Sequence, residues 1–369
     1  MAIDVIEEFI ELVSINSPSR KEGQLAAYLK KKLEEFGAKV IEDDSAQKTG
    51  SDTGNIIGII EGNVPNAPCI MLSAHMDTVE ETEGMVPVIR DGIIYSDGEH
   101  ILGADDKAGI AIILAVLSEI NEKKIPHGQI EVVFTVQEEV DLVGAKNLTY
   151  KLQSNFGYVL DADGQVGKVV IRTPTHITLD LVVTGKAAHA GVAPEQGINA
   201  LVVAAKAIAE IPSGRLDKET TSNFGVIKGG KATNIVPDKV EIKAEVRSRN
   251  EDRLEAEVKR MIDVFSRIAK ENGADFEYTQ KLSYKAFQIN ENDPICTVLK
   301  KAGEKIKMDI LFEPTGGGLD ANVFNEKGIP CVALGLGNDK PHTKEELVSI
   351  KGMKDCVELL KTVLEISQE

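Results

Sequence analysis

Five short stretches of the 369-residue chain gather acids and histidines. "HMD" sets His75 two residues before Asp77, and "GADDKAG" sets Asp105 beside Asp106. "FTVQEEVDLVG" ends an apolar run with Glu138 and Glu139, "LDADG" carries Asp161 and Asp163, and "PHT" carries His342. Each has an ordinary explanation. Acids favour the first turn of a helix, DADG can be a simple turn, and a lone His is commonly a satisfied core or surface residue. The Glu pair could end a solvated strand, although neighbours on a strand face opposite ways and no one face solvates both. Gathered in one buried place, however, these carboxylates would repel and desolvate badly without cations. Two His with several Asp and Glu and no Cys suit zinc or a related divalent ion. One carboxylate bridging two ions about 3.5–4 Å apart is an arrangement used for hydrolysis.

The elements that must position these residues are legible as apolar runs. "NIIGIIEG" (55–62), "CIMLSAH" (69–75), "DGIIYS" (91–96), "IEVVFTVQ" (130–137) and "GYVLDAD" (157–163) read as strands. A helix is expected from Asp105 to about Ile120, another over 4–15, and a third capped by Ser19 and stopped by Gly37. Near-continuous apolar strands alternating with helices predict an α/β sheet buried on both faces. Ligands in such sheets bind at the carboxyl ends of the strands, and the five stretches map to that edge. From His176 the pattern changes to alternation, with the order β-α-β-β-α-β of a small antiparallel sheet carrying two helices. The expected organisation is a catalytic domain in two parts, 1–175 and 287–369, with residues 176–286 inserted between them. The second part adds a helix over 294–305, the strand "IPCVALG" and a terminal helix over 350–367.

The net charge of −17 argues against nucleic acid or an anionic membrane surface as partner. Cys69, Cys296, Cys331 and Cys356 are scattered without a CxxC, as in a reducing compartment. The apolar run "AGIAIILAVL" (108–117) is too short to span a bilayer, and the acidic N-terminal helix is no signal peptide. A cytoplasmic location is expected. "GVIKGGKA" approaches a phosphate-binding loop but has Ala232 where a hydroxyl is needed. "DADGQVG" lacks the later acids of a calcium loop. "TGGGLDAN" sets Gly316 and Gly317 before an expected helix near Leu319, where backbone N–H groups could grip an anionic terminus or a carbonyl oxygen. A tight turn needing glycine is the plainer alternative.

In its succession "HMD", "GADDKAG", "QEE", "LDADG" and "PHT", the chain resembles the dizinc metallopeptidases that include aminoacylases, glutamate carboxypeptidases and tripeptidases. "LGADDKAG" and "DADG" look most like the peptidase T group. The resemblance spans nearly the whole chain and implies a mixed-sheet catalytic domain with an inserted ferredoxin-like domain that serves as a lid or a dimer interface, leaving a homodimer open. It implies that His75 and Asp161 bind one ion and Glu139 and His342 the other, with Asp105 bridging both and the Asp105–Asp106 peptide cis. Asp77 would orient the His75 imidazole. Glu138 would be the general base for a hydroxide held between two divalent ions, zinc or else cobalt or manganese. His189 would stabilise the oxyanion. Asn234 and Arg247 would bind substrate, Arg being suited to a carboxylate, although Glu245 stands where the family prefers Asp. The implied activity is that of an exopeptidase on short peptides, tripeptide aminopeptidase-like. An N-acyl amino-acid deacylase or carboxypeptidase of the same fold is the alternative, and a metal-binding protein without turnover is the alternative from another class.

Overall fold

Continuous apolar runs become strands covered on both faces. In the computed structural model, which describes residues 3–368, Ile70–His75 and Ile130–Thr135 are buried at every position. They lie near the middle of an eight-stranded sheet. Its order is Lys39–Glu42, Ile56–Ile60, Ile130–Thr135, Ile70–His75, Phe156–Ala162, Cys331–Gly335, Lys168–Arg172 and Leu311–Pro314. The four strands from Ile130–Thr135 to Cys331–Gly335 run parallel. Antiparallel pairing flanks them on both sides, so the sheet is mixed, as expected. The carboxyl ends of those parallel strands therefore emerge side by side, with His75 in register with Thr135.

The Ala104–Lys123 helix is buried almost all round, from Asp106 to Ser118, the pattern of a helix wrapped by other elements. Val5–Val13 and Ile350–Ile366 pack against it. The next helix runs Gly23–Glu35 and is stopped where Gly37 takes φ +79°. Ser19 does not cap it. Its hydroxyl donates instead to the buried Asp77 Oδ2 at 2.7 Å, a charge-assisted bond, and Glu22 stands at the N-cap position. A second small sheet, ordered Asn338–Asp339, Leu347–Ser349, Ile93–Tyr95 and Val88–Arg90, is antiparallel throughout. Its first two strands form a hairpin whose loop contains His342.

The chain divides into two compact units. The unit just described comprises the chain to Ile171, Gln288–Pro314 and Leu319 onward, and the other comprises Arg172–Phe287 with Thr315–Gly318. The second unit is a five-stranded antiparallel sheet ordered Gly214–Arg215, Thr220–Gly229, Lys239–Ser248, Thr175–Thr184 and Asp275–Tyr284. Alternation decides its core. Leu179, Leu181, Val183, Val240, Ile242 and Val246 join Val203 of the Ala200–Glu210 helix and Met261 and Phe265 of the Glu251–Glu271 helix in one buried cluster. The segment 315–318 belongs with this unit because Thr315 N–H donates to Arg172 O at 2.9 Å and Gly318 lies under the Tyr284 ring. A Cβ on Gly318 would come within 2.1 Å of that ring. Among the described residues no helix is long and apolar enough to cross a membrane.

Candidate active site

After Thr135 the chain leaves the sheet in a sharp turn, with positive φ at Gln137, Asp141 and Leu142. Four consecutive backbone N–H groups then lack ladder partners, and buried N–H groups are costly unpaired. Side chains from three distant segments accept them. Val136 donates to Asn55 Oδ1 (3.1 Å), Gln137 to Glu22 Oε1 (3.1 Å), Glu138 to Asp77 Oδ1 (2.8 Å) and Glu139 to Asp77 Oδ2 (3.3 Å). All three acceptors are fully buried. This cradle explains the adjacent acids: in a turn rather than a strand, the carboxylates of both reach the neighbourhood of His75.

His75 Nδ1 lies 2.9 Å from the carbonyl oxygen of Asp77, which fixes the Nδ1–H tautomer. Its Nε2 then faces Asp105 Oδ1 at 3.0 Å and Asp161 Oδ1 at 3.7 Å. The other Asp105 oxygen lies 3.2 Å from His342 Nε2, which is 2.8 Å from Glu139 Oε1. Asp105 thus presents one oxygen to each imidazole. Donor atoms of His75, Asp105 and Glu139, and of His75, Glu138 and Asp161, form two sets whose members lie within 4.8 Å of one another. The Asp105–Asp106 peptide is cis. Asp106 turns away: its carboxylate accepts the His75 N–H at 3.1 Å and the Gly109 N–H at 3.2 Å. Glu138 is buried, with no hydrogen bond to its carboxylate among the described residues, whereas Glu139 is bonded by His342.

Charge crowding is severe. Burial pushes Asp161 up to about 8 against the opposing hydrogen bond of His75. Burial and the nearby Asp161 charge hold Glu138 well above the usual carboxylate range. Burial would also lift Asp105, but hydrogen bonds with His342 and His75 outweigh it and hold it below that range. His342 is raised to about 10 by its bonds with Asp105 and Glu139. Two imidazole nitrogens among several carboxylates mark a place that calls for positive charge, and this all-nitrogen-and-oxygen donor set fits divalent cations.

The remaining candidates belong to the other unit. His189 and Asn234 are exposed neighbours there, joined by the His189–Ile235 bridge and by Ala190 N–H donating to Asn234 O at 2.9 Å. Arg247 is gripped by Glu245 through Nε (3.1 Å) and Nη2 (3.0 Å), leaving Nη1 outside that pair. Gly317 N–H is taken by Thr315 Oγ1 at 3.3 Å, and nothing lies within 4 Å of a Cβ placed on Gly316. The expected helix after them is only Asp320–Glu326. The one glycine that sterics demand in this run is Gly318.

Several residues at the site carry no sequence signal. Besides Asn55 and Glu22, Glu346 is buried and accepts Gly103 N–H (2.8 Å) and Asp105 N–H (2.9 Å), tying the His342 hairpin to the Asp105 backbone. Asp320 accepts the Thr135 hydroxyl at 2.5 Å, while its buried Oδ1 has no hydrogen-bond partner among the described residues. Lys107 is buried with Nζ donating to Ile15 O at 2.6 Å, and burial lowers it to about 7.

The sequence pattern of peptidase family M20/M25/M40 matches residues 71–366. An uncharacterised protein of Bacillus subtilis, YqjE, is 40% identical, covering 98% of this chain and 97% of its own. The crystal structure of the aminopeptidase PepT from Bacillus cereus is 41% identical with a TM-score of 0.90, covering 99% of this chain and 98% of that one. A tripeptidase structure from Staphylococcus aureus is 38% identical with a TM-score of 0.95 at the same coverage.

Proposed function

The chain belongs to peptidase family M20/M25/M40, and from that premise we propose that it is a dinuclear metal-dependent exopeptidase that removes the N-terminal residue of short peptides, tripeptides foremost. The similar structures named as an aminopeptidase and a tripeptidase support this reading. The observation that carries it is the bridge made by Asp105, one oxygen towards His75 and the other towards His342. In this reading His75 and Asp161 hold one ion, Glu139 and His342 the other, and Asp105 both. Zinc is our first choice of metal, with cobalt or manganese admitted by the same donors. When bound, the ions supply Lewis acidity that polarises the scissile carbonyl and makes a water nucleophilic near neutral pH.

The chain's own groups do the rest. Asp77 fixes the His75 tautomer and, through the backbone N–H groups of Glu138 and Glu139, the place of both acids. The Glu138 carboxylate, free of hydrogen bonds, accepts the proton of the attacking water and returns it to the leaving amine. Arg247, whose Nη1 lies outside its pair with Glu245, and His189 with Asn234 are our candidates for the substrate's carboxylate and for the oxyanion.

The test is metal analysis of the purified protein combined with a panel of di-, tri- and tetrapeptides and N-acetyl amino acids. About two ions per chain and a preference for tripeptides are expected. Turnover of N-acetyl amino acids alone would overturn the aminopeptidase reading in favour of a deacylase.

A further inference from the structure

The second acid of "LDADG" has no part in the reaction so far. We propose that the Asp163 carboxylate anchors the α-ammonium of the substrate's N-terminal residue. The inference rests on the aminopeptidase reading above and names the group that would make it one.

Placement comes first. Asp161 lies near the end of the Phe156–Ala162 strand, and Asp163 is the first residue beyond that strand, two positions on from a proposed ion ligand. The far end is pinned to the hairpin that carries the other ligand, His342. Gly164 N–H donates to Asn338 O (3.0 Å), Gly337 N–H donates to Gly164 O (2.7 Å), and Asn338 Nδ2 donates to Asp163 Oδ1 (3.2 Å). The carboxylate therefore sits on the rim of the centre, held between the segments that bear Asp161 and His342.

Its chemistry comes second. Asp163 is exposed, so a ligand can reach it. Among the described residues no Lys or Arg stands within ion-pair distance of its carboxylate. Lys168 directs its Nζ to the Asp163 carbonyl oxygen at 2.9 Å instead. Two divalent ions would offset the charges of Asp105, Glu139, Asp161 and Glu138, leaving Asp163 without a direct ion-pair partner among the described residues. The α-ammonium of a peptide is two bonds from the scissile carbonyl carbon, so the group that reads it must stand beside the ion ligands. A charge-assisted hydrogen bond supplies the grip. An uncharged group in place of the ammonium would forgo this charge-assisted bond.

The experiment pairs Asp163→Asn with removal of the ammonium. Asparagine keeps an oxygen for Asn338 and loses only the charge. The substrates are trialanine and propionyl-dialanine, its des-amino analogue, the latter measured as substrate or as competitive inhibitor of the metal-loaded enzyme. Wild type should prefer trialanine by about 10–100-fold, the worth of one hydrogen bond to a charged group. The variant should lose that factor on trialanine, mostly in KM, and change by less than about threefold on propionyl-dialanine, with metal content unaltered. Equal losses on both substrates, or an unchanged variant, would overturn the inference while leaving the aminopeptidase reading intact. A wild type silent on trialanine would overturn both.

Discussion

The cradle around the 136–139 turn makes a graded prediction at Asn55, a neutral and fully buried residue. Its Oδ1 accepts Val136 N–H (3.1 Å), and its Nδ2 donates to Gly144 O (3.0 Å) and Asp43 Oδ2 (3.2 Å). Asn55→Ala strands the Val136 N–H without water, a loss of about 1–3 kcal/mol. Two donated bonds also go, but Gly144 O still accepts Asn147 N–H, and Asp43 keeps Ser45 and Thr149. The sum is about 2–4 kcal/mol, a large part of the roughly 5–15 kcal/mol that holds a protein folded. Asn55→Asp is the sharper variant because it is isosteric. One oxygen can still accept Val136 N–H, while the other now faces the Gly144 carbonyl and the Asp43 carboxylate, acceptor against acceptor. At pH 7 it should therefore be no more stable than the alanine variant, and it should recover as the new carboxyl is protonated at lower pH. With no Trp in the chain, urea unfolding is best followed by far-UV circular dichroism, with metal affinity measured alongside. Affinity should fall in step, since the turn carries Glu139. An Asn55→Ala loss below about 0.5 kcal/mol, or an Asn55→Asp variant as stable as wild type at pH 7, would refute the cradle.

Two further outcomes are expected. Glu138→Ala should keep wild-type metal content while turnover falls by about 10²–10⁴-fold; metal analysis beside steady-state kinetics checks this, and retained turnover removes Glu138 as base. In the inserted unit, Glu245 is held near 2 by His176, against the opposing effect of burial and with help from Arg247. Its folded pKa lies below the ordinary 4.5, so the stability it confers is present above pH 4.5 and is lost as pH falls towards 2. The ceiling of about 3 kcal/mol shrinks to about 1–2 because the side chain is about a third exposed. Glu245→Gln should flatten acid unfolding over that window, and an unchanged slope would reject the assignment.

What was legible in the sequence follows from how few ways certain jobs can be done. A strand covered on both faces must be largely apolar, so 70–75 and 130–135 declared themselves despite the buried Glu131. The inserted sheet, covered on one face, must alternate, as Leu179, Leu181 and Val183 do. Cation chemistry admits only a few side chains, so the acids and histidines of the five stretches stood out by type; the family resemblance picked His75, Asp105, Glu139, Asp161 and His342 from among them, and in the structure these lie near one another. Of the small sheet whose hairpin carries His342, only the strand within "DGIIYS" was legible; the other strands are two or three residues long, too short for any period to form. Ser19 misled because the same hydroxyl serves a helix end or a buried carboxylate, and only tertiary proximity to Asp77 decides which. The supporting acceptors were hidden for a deeper reason. A backbone N–H takes any oxygen at the right distance, and here Asn, Glu and Asp serve four consecutive ones. Position selects them and type does not, so no pattern of types could reveal them. The same asymmetry predicts where related chains can vary: at Asn55 and Glu22 another acceptor of similar reach would serve, whereas at His75 or Asp105 the donor set allows little choice.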